Sequence, residues 1–310
     1  MIVDSTLARL LDEIPCLSGQ PREVTELPGG LTNHNYRVRT ATADVVVRVS
    51  PPGTDLLAVD REVEHHNSAA AAAAGVGAPV IDYLPGRGVL VVGFLTARTY
   101  SEDDVAANLP RIAAALRRLH AGPPFVGRLD MFALQRRYLA LAHERGMCMP
   151  SGYDSLAPVV ARAEAALAAY PEPLVPCHND LLAANFLDDG QDVRIIDYEY
   201  SGLNEPAFEL GNIAQESGLS DAALVGLVEA YYPHADARLL ARARTWRAIS
   251  GYGWTLWGVI QHHVSGIDAD FWGWATHKYD TAATLLRDSA FVDTLSVAAA
   301  APAPTPRAPA

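Results

Sequence analysis

The sequence predicts an α+β chain of two lobes, a small β-rich lobe followed by a larger helical one. Three observations carry that reading. Residues 22–50 hold three short segments of β-branched or alternating apolar residues, Glu23–Leu27, 35–39 and 45–49, with turn residues at Pro28-Gly29-Gly30 and 41–43. From Ser101 the texture becomes helical: Ile112, Leu116 and Leu119 share a face of Leu109–His120, and Ala/Leu-rich stretches follow at 135–145 and 156–170. Near 174–200, two short apolar segments, 174–176 and 193–197, flank an acidic run before helical texture returns from 221 to about 287.

The remaining elements fit this plan. Residues 1–15 read as a short amphipathic helix with Leu7, Leu10, Leu11 and Ile14 on one face. Residues 60–74 read as a helix with an acidic first turn and six consecutive alanines, stopped by Gly75. Residues 79–83 and 89–95 read as two further buried strands. The result is a small, mostly antiparallel sheet with one inserted helix. A connector near 93–99 divides an N-terminal β-rich lobe (1–95) from a helical lobe (96–292). Residues 293–310, Ala/Pro-rich at their end, are expected to be a disordered tail.

Composition sets bounds on function. The 310 residues suffice for two cores, and 50% hydrophobic with 19% charged residues is an ordinary globular balance. The first residues hold no basic n-region followed by an apolar h-region, and no apolar run is long enough to span a bilayer, so neither a secretory leader nor membrane insertion is expected. Three scattered cysteines imply neither a disulfide framework nor a zinc site and suit a reducing cytoplasm. A formal charge of −12 argues against nucleic acid as a partner and favours a cationic substrate. Lys278 is the only lysine, so a basic group at a nucleotide site must be Arg.

The most informative stretch is Cys177-His178-Asn179-Asp180-Leu181-Leu182-Ala183-Ala184-Asn185-Phe186-Leu187, followed by Ile195-Ile196-Asp197-Tyr198-Glu199. An Asp, an Asn five residues on and a second Asp after a short apolar strand suit phosphoryl transfer. One carboxylate orients and deprotonates a hydroxyl, while the amide and the second carboxylate hold Mg²⁺ against nucleotide phosphates. A lone His-x-Asp is usually a solvated loop; the Asn spacing and the apolar strand separate this one from that background. Cys177 and His178 are adjacent on a strand and point to opposite faces, so they form no thiol dyad, and Cys177 reads as core.

This pattern resembles the catalytic loop and metal-binding strand of the aminoglycoside phosphotransferase and choline/ethanolamine kinase superfamily, and the resemblance implies the protein-kinase-like fold. It implies that Asp180 accepts the substrate proton, that Asn185 and Asp197 ligate Mg²⁺, and that His178 shapes the loop. Leu27-Pro28-Gly29-Gly30-Leu31-Thr32-Asn33-His34-Asn35-Tyr36 could be only a hairpin. It resembles the Gly-Leu-Thr-Asn-x-Asn-Tyr loop of choline kinase-like proteins, which assigns Gly30, Thr32 and Asn33 to ATP. Arg48, ending an apolar run, stands where protein kinases place a phosphate-gripping Lys; Glu64 is its helix partner on resemblance, with Glu62 the neighbouring candidate. Residues 91–95 are expected to be the hinge that meets adenine.

The second informative region holds four of the five tryptophans. Trp254 and Trp257 are three apart on one helix face, and Phe271, Trp272 and Trp274 follow. Aromatic stripes of this kind are more often packing than a ligand cage. A quaternary ammonium, however, has no N–H and is held by aromatic faces and nearby negative charge. The stretch resembles the choline-pocket region of choline kinases. That implies a cage of Trp254, Trp257 and Trp274, with Phe271 and Tyr200 as further walls and Glu216 as the acidic neighbour; Glu209 replaces a more usual Asp. The pairs His65-His66 and His262-His263 diverge on their helices and read as surface or packing residues.

The expectation is a cytoplasmic, ATP- and Mg²⁺-dependent kinase of a small cationic alcohol, converting choline to phosphocholine. The alternatives are a kinase for ethanolamine, thiamine or an aminoglycoside, or a non-catalytic choline-binding pseudokinase.

Overall fold

The computed structural model describes residues 5–51 and 54–302. The first lobe is a five-stranded antiparallel sheet of β1 (Glu23–Leu27), β2 (His34–Arg39), β3 (Asp44–Val49), β4 (Val80–Leu84) and β5 (Val89–Gly93), in the order β1-β2-β3-β5-β4. Strand alternation decides what each face does. Val45, Val47, Val89 and Val91 point into a core closed by Leu11, Ile14 and Leu17, at and just beyond α1 (Ser5–Asp12). Val46, Arg48, Leu90 and Val92 point the other way, into the cleft between the lobes.

Between β3 and β4 runs α2 (Arg61–Ala73), capped by Asp60, whose carboxylate accepts from the Glu62 and Val63 amides. The alanine run is packed helix: Ala70 and Ala71 are buried, and Gly75 follows with φ +71. The same helix buries Glu64 at 2% exposure, which a solvated face would not do.

The second lobe is helical. It contains α3 (Glu102–Ala107), α4 (Leu109–His120), α5 (Met131–Glu144), α6 (Ala157–Ala169), α7 (Pro206–Glu216), α8 (Asp221–Tyr231), α9 (Ala237–Val264), α10 (Phe271–Arg287) and α11 (Phe291–Ala298). The 28-residue α9 is buried nearly all round from Trp246 to Gln261, and α5, α7, α10 and α11 pack on it. Gly211 and Gly251 permit the α7–α9 approach: a Cβ on Gly211 would lie 2.5 Å from the Arg247 amide nitrogen, and one on Gly251 would lie 2.8 Å from the Gln215 side chain.

Two expectations need correcting. Residues 293–298 belong to α11 rather than to a tail, because Phe291, Leu295 and Ala298 form one buried stripe; residues 303–310 lie outside the described residues, as do 1–4. Helix α7 also begins earlier than the helical texture suggested. Pro206 reads as a breaker, but it sits in the first turn, where its missing N–H costs nothing. Short strands β6 (Arg98–Thr99), β7 (Val175–Cys177), β8 (Phe186–Asp188), β9 (Val193–Ile195) and β10 (Gly202–Asn204) frame the acidic segment. Strands β7 and β9 overlap the apolar segments read at 174–176 and 193–197; β6, β8 and β10 are too short for periodicity to reveal.

Candidate active site

The site is built on the β8–β9 hairpin. Its register pairs Phe186 with Ile195, and the Ile196 amide donates to the Asn185 carbonyl at 3.0 Å. That register brings Asn185 and Asp197 together across the hairpin mouth. Asp197 has φ +74 and Asn179 φ +72. Asn and Asp tolerate this left-handed region better than most residues, and the two instances, one beside Asp180 and one just past β9, mark turns held against local preference.

Several groups hold it. Glu209 accepts from the Asn179 amide at 2.6 Å, Asn212 accepts from the Leu181 amide at 2.7 Å, and the Asn179 side chain donates to the Tyr200 carbonyl at 2.9 Å. His178 takes the Asp180 amide on Nδ1 at 3.2 Å and donates from Nε2 to the Ile196 carbonyl at 2.8 Å. This pair of contacts fixes a neutral ring, and burial pushes its pKa down in agreement. Cys177 faces the other way, toward His120 and the Asn204 carbonyl; burial pushes its thiol well up, so it is packing.

Two cavities meet here. The larger, about 460 Å³, lies between the lobes and is lined by Gly29, Gly30, Val46, Arg48, Leu90, Val92 and Phe94, with Ile196 opposite. The smaller, about 90 Å³, is walled by Tyr200, Trp254, Trp257 and Trp274, with the carboxylates of Asp180 and Glu199 also in its lining. Gly29, Ala184, Asn185 and Asp197 line both. Asn185 donates Nδ2 to the Asp180 carbonyl at 2.8 Å, which leaves Oδ1 as its ligand oxygen. Asn185 and Asp197 thus offer hard oxygen donors at the seam, a set that suits Mg²⁺.

Burial raises the Asp180 pKa well above the usual carboxylate range. Glu216 and Asp197 push it the same way, and Lys278 opposes them.

Arg48 anchors a buried charge cluster. It pairs with Glu64 at 2.8 Å, Asp197 at 2.5 Å and Glu199 at 2.8 Å. Arg61 also pairs with Glu64 (2.6 Å) and Glu199 (2.5 Å). Burial alone would push Glu199 up; the two guanidinium groups outweigh it and hold its pKa below the ordinary value. Glu62 instead lies at the surface, accepting from the Tyr83 hydroxyl at 3.0 Å.

Some sequence assignments land elsewhere. Gly30 lines the larger cavity, and a Cβ there would lie 2.1 Å from the Asn33 carbonyl oxygen, so the turn requires glycine. Thr32 lines the smaller, aromatic cavity. Asn33 lines neither. It is buried, donating to Glu199 at 2.7 Å and accepting from Ser50 at 2.7 Å. The loop turns inward because Gln261 of α9 donates to the Leu31 carbonyl at 2.9 Å. Phe271 packs edge-on against Trp257, with ring centroids 5.9 Å apart, and does not reach the cavity. Glu216 is also outside the lining and is paired with Lys278.

Glu199, Arg61, Gln261, Lys278 and the anchor Asn212 were not assigned from sequence. Glu199 alone carried a signal, standing two residues beyond Asp197. Among the described residues no helix is long and apolar enough to cross a membrane.

Comparison with known proteins gives the family of the chain. Residues 23–248 match the model of the phosphotransferase enzyme family. Protein LicA of Haemophilus influenzae is 30% identical over 84% of this chain and 79% of its own. The probable choline kinase 1 of Arabidopsis thaliana is 28% identical over 83% of this chain and 85% of its own. A choline/ethanolamine kinase family protein from Mesorhizobium loti superposes with a TM-score of 0.83 at 30% identity, covering 96% of this chain and 99% of that one. The fold also matches choline kinase LicA from Streptococcus pneumoniae, at TM-score 0.77 and 23% identity, over 90% and 98% of the two chains. The chain therefore has the protein-kinase-like fold and belongs to the phosphotransferase enzyme family, in its choline/ethanolamine kinase branch, with an alcohol group as acceptor.

Proposed function

We propose that this small amino alcohol kinase transfers the γ-phosphoryl group of ATP to the hydroxyl of choline, giving phosphocholine and ADP. One observation carries the reading: Asp180 stands where an interlobe cleft meets a cavity walled by three tryptophans and a tyrosine. The cleft would seat ATP, with Gly30 at the turn over the phosphates and Arg48 on the cleft face of β3. Asn185 and Asp197 would hold Mg²⁺. Bound there, the metal supplies charge neutralisation on the phosphates.

The chain's own residues do the rest. The aromatic walls orient the cationic head so that the hydroxyl faces Asp180. Asp180 accepts the hydroxyl proton as the new O–P bond forms and the bond from the γ-phosphorus to the ADP oxygen breaks. Glu209, Asn212 and His178 act through the loop by fixing where Asp180 points. The free thiols of Cys16, Cys148 and Cys177 suit a cytoplasmic setting.

Ethanolamine, thiamine and aminoglycosides present N–H donors or larger rings, and would call for more carboxylates around the cavity. A panel measuring kcat/KM with ATP and each acceptor tests the assignment. Choline is expected to lead; choline turning over no faster than ethanolamine or kanamycin refutes it. ADP release above the acceptor-free background excludes a non-catalytic binding module.

A further inference from the structure

The chain's only lysine is buried beside the aromatic cavity. Lys278 of α10 is 5% exposed. Its ammonium pairs with Glu216 at the end of α7 and lies 4.3 Å from the centre of the Trp274 ring. Lysine is rarely buried without a partner, and here one carboxylate and one indole face serve as both.

This arrangement changes what the pocket offers. Glu216 is the carboxylate expected to draw in a cationic head, yet it already has a resident cation. Its Oε1 is buried and lacks a hydrogen-bond partner among the described residues, so the ion pair is its sole polar contact there. Trp274, a wall of the cavity, already bears a positive charge against its ring. A second cation brought to the same carboxylate and ring would meet like-charge repulsion in a poorly screened setting.

We propose that Lys278 is a specificity-determining residue: it cancels Glu216 and shifts recognition of the acceptor's head onto the ring faces of Trp254, Trp257 and Tyr200. The proposal rests on the amino alcohol kinase reading above. Its consequence is that Glu216 adds nothing to reading the head's charge, which is left to the ring faces and to Asp180, Asp197 and Glu199 of the cavity lining, the last two already paired with Arg48. Removing the lysine exposes the Glu216 carboxylate and adds it to that set.

The test compares choline with 3,3-dimethylbutan-1-ol, the isostere in which carbon replaces the charged nitrogen. Both kcat/KM with ATP and calorimetric affinity are measured. The wild type should prefer choline only by the modest factor that ring faces supply, roughly 3- to 30-fold. Lys278→Met should widen that preference by a further tenfold or so in both kcat/KM and calorimetric affinity, as an unscreened charge pair would; its effect on Asp180 is common to both alcohols and cancels in the ratio. Lys278→Arg should keep the wild-type ratio. The double variant Glu216→Gln/Lys278→Met should restore it.

An unchanged or narrowed preference in Lys278→Met overturns the proposal. If that variant fails to fold by thermal melting, the double variant decides. A ratio within about threefold of wild type supports the role of Lys278; a collapsed ratio shows that Glu216 reads the cation despite its lysine and overturns it. A wild type that phosphorylates neither choline nor ethanolamine sinks the amino alcohol reading itself, and the proposal with it. A wild type that phosphorylates choline while Lys278→Met keeps its ratio sinks the role of Lys278 alone.

Discussion

Replacing Arg48 by Met should destabilise the protein more at alkaline than at acidic pH. The Arg48 side chain is 10% exposed and contacts carboxylates of Glu64 (3%), Glu199 (6%) and Asp197 (39%). Met has comparable length and leaves little void, so the loss is electrostatic. Asp197 is exposed enough to rehydrate and contributes little. Glu64 and Glu199 are not, and Arg61 alone would be left to neutralise both. Breaking a buried charge network by removing one partner costs about 3–5 kcal/mol. At about 2 °C per kcal/mol for a chain of this size, Tm should fall by roughly 6–10 °C.

The pH dependence follows from the two glutamates. Burial raises the Glu64 pKa in the folded protein despite Arg48, so its ionisation erodes stability as pH rises above the ordinary carboxylate value. The Glu199 pKa is lowered, so its contribution is present above the unfolded value and is lost as pH falls through the folded one. Without Arg48 both groups move upward and are more easily buried neutral. The gap in Tm between wild type and variant should therefore be widest near pH 8 and shrink toward pH 5. Differential scanning fluorimetry across that range is the assay. A loss below about 2 °C, or a gap that does not vary with pH, would refute the idea that this guanidinium holds the carboxylates in place.

Three further outcomes are expected. Asp180→Asn should lower kcat by about 10²–10⁴ while leaving calorimetric ATP affinity within about threefold, since only the proton acceptor is removed. Gly211→Ala should cost about 1–3 kcal/mol by chemical denaturation, because its Cβ would meet backbone atoms of α9 at 2.5 and 2.6 Å, which cannot step aside. Gln261→Leu should free the Leu31 carbonyl and raise KM for both ATP and acceptor by about fivefold, the worth of one hydrogen bond, with little change in Tm.

What the sequence made legible were contacts set by short spacing or by strand and helix periodicity. Asp180, Asn185 and Asp197 are separated by one loop and one hairpin, so their convergence could be read from spacing. The Arg48–Glu64 pair was accessible through the resemblance to choline kinase-like proteins; period alone could not choose Glu64 over Glu62, and burial did. The reverse holds for Glu199 with Asn33, 166 residues apart, and for Gln261 with Leu31, 230 apart. Such pairings depend on how the two lobes dock, which no local pattern encodes. Lys278 was noted for its rarity, but its partner could not be found without the packing of α10 and α7 on α9. The Trp254, Trp257 and Trp274 stripe proved ambiguous for a physical reason: these rings line a cavity and pack a core at once.

The β8–β9 hairpin has an implication for engineering. Its turn is closed by its own side chain, the Asp189 carboxylate accepting from the Gln191 and Asp192 amides. Extra residues grafted at that tip would leave the pairing of Phe186 with Ile195 untouched and so keep Asn185 level with Asp197. One residue added within either arm would instead rotate every side chain beyond it to the opposite side and send one of the two away from the cleft. The tip is thus a place to attach a reporter or a tether, and the arms are where a minimal insertion would switch the enzyme off.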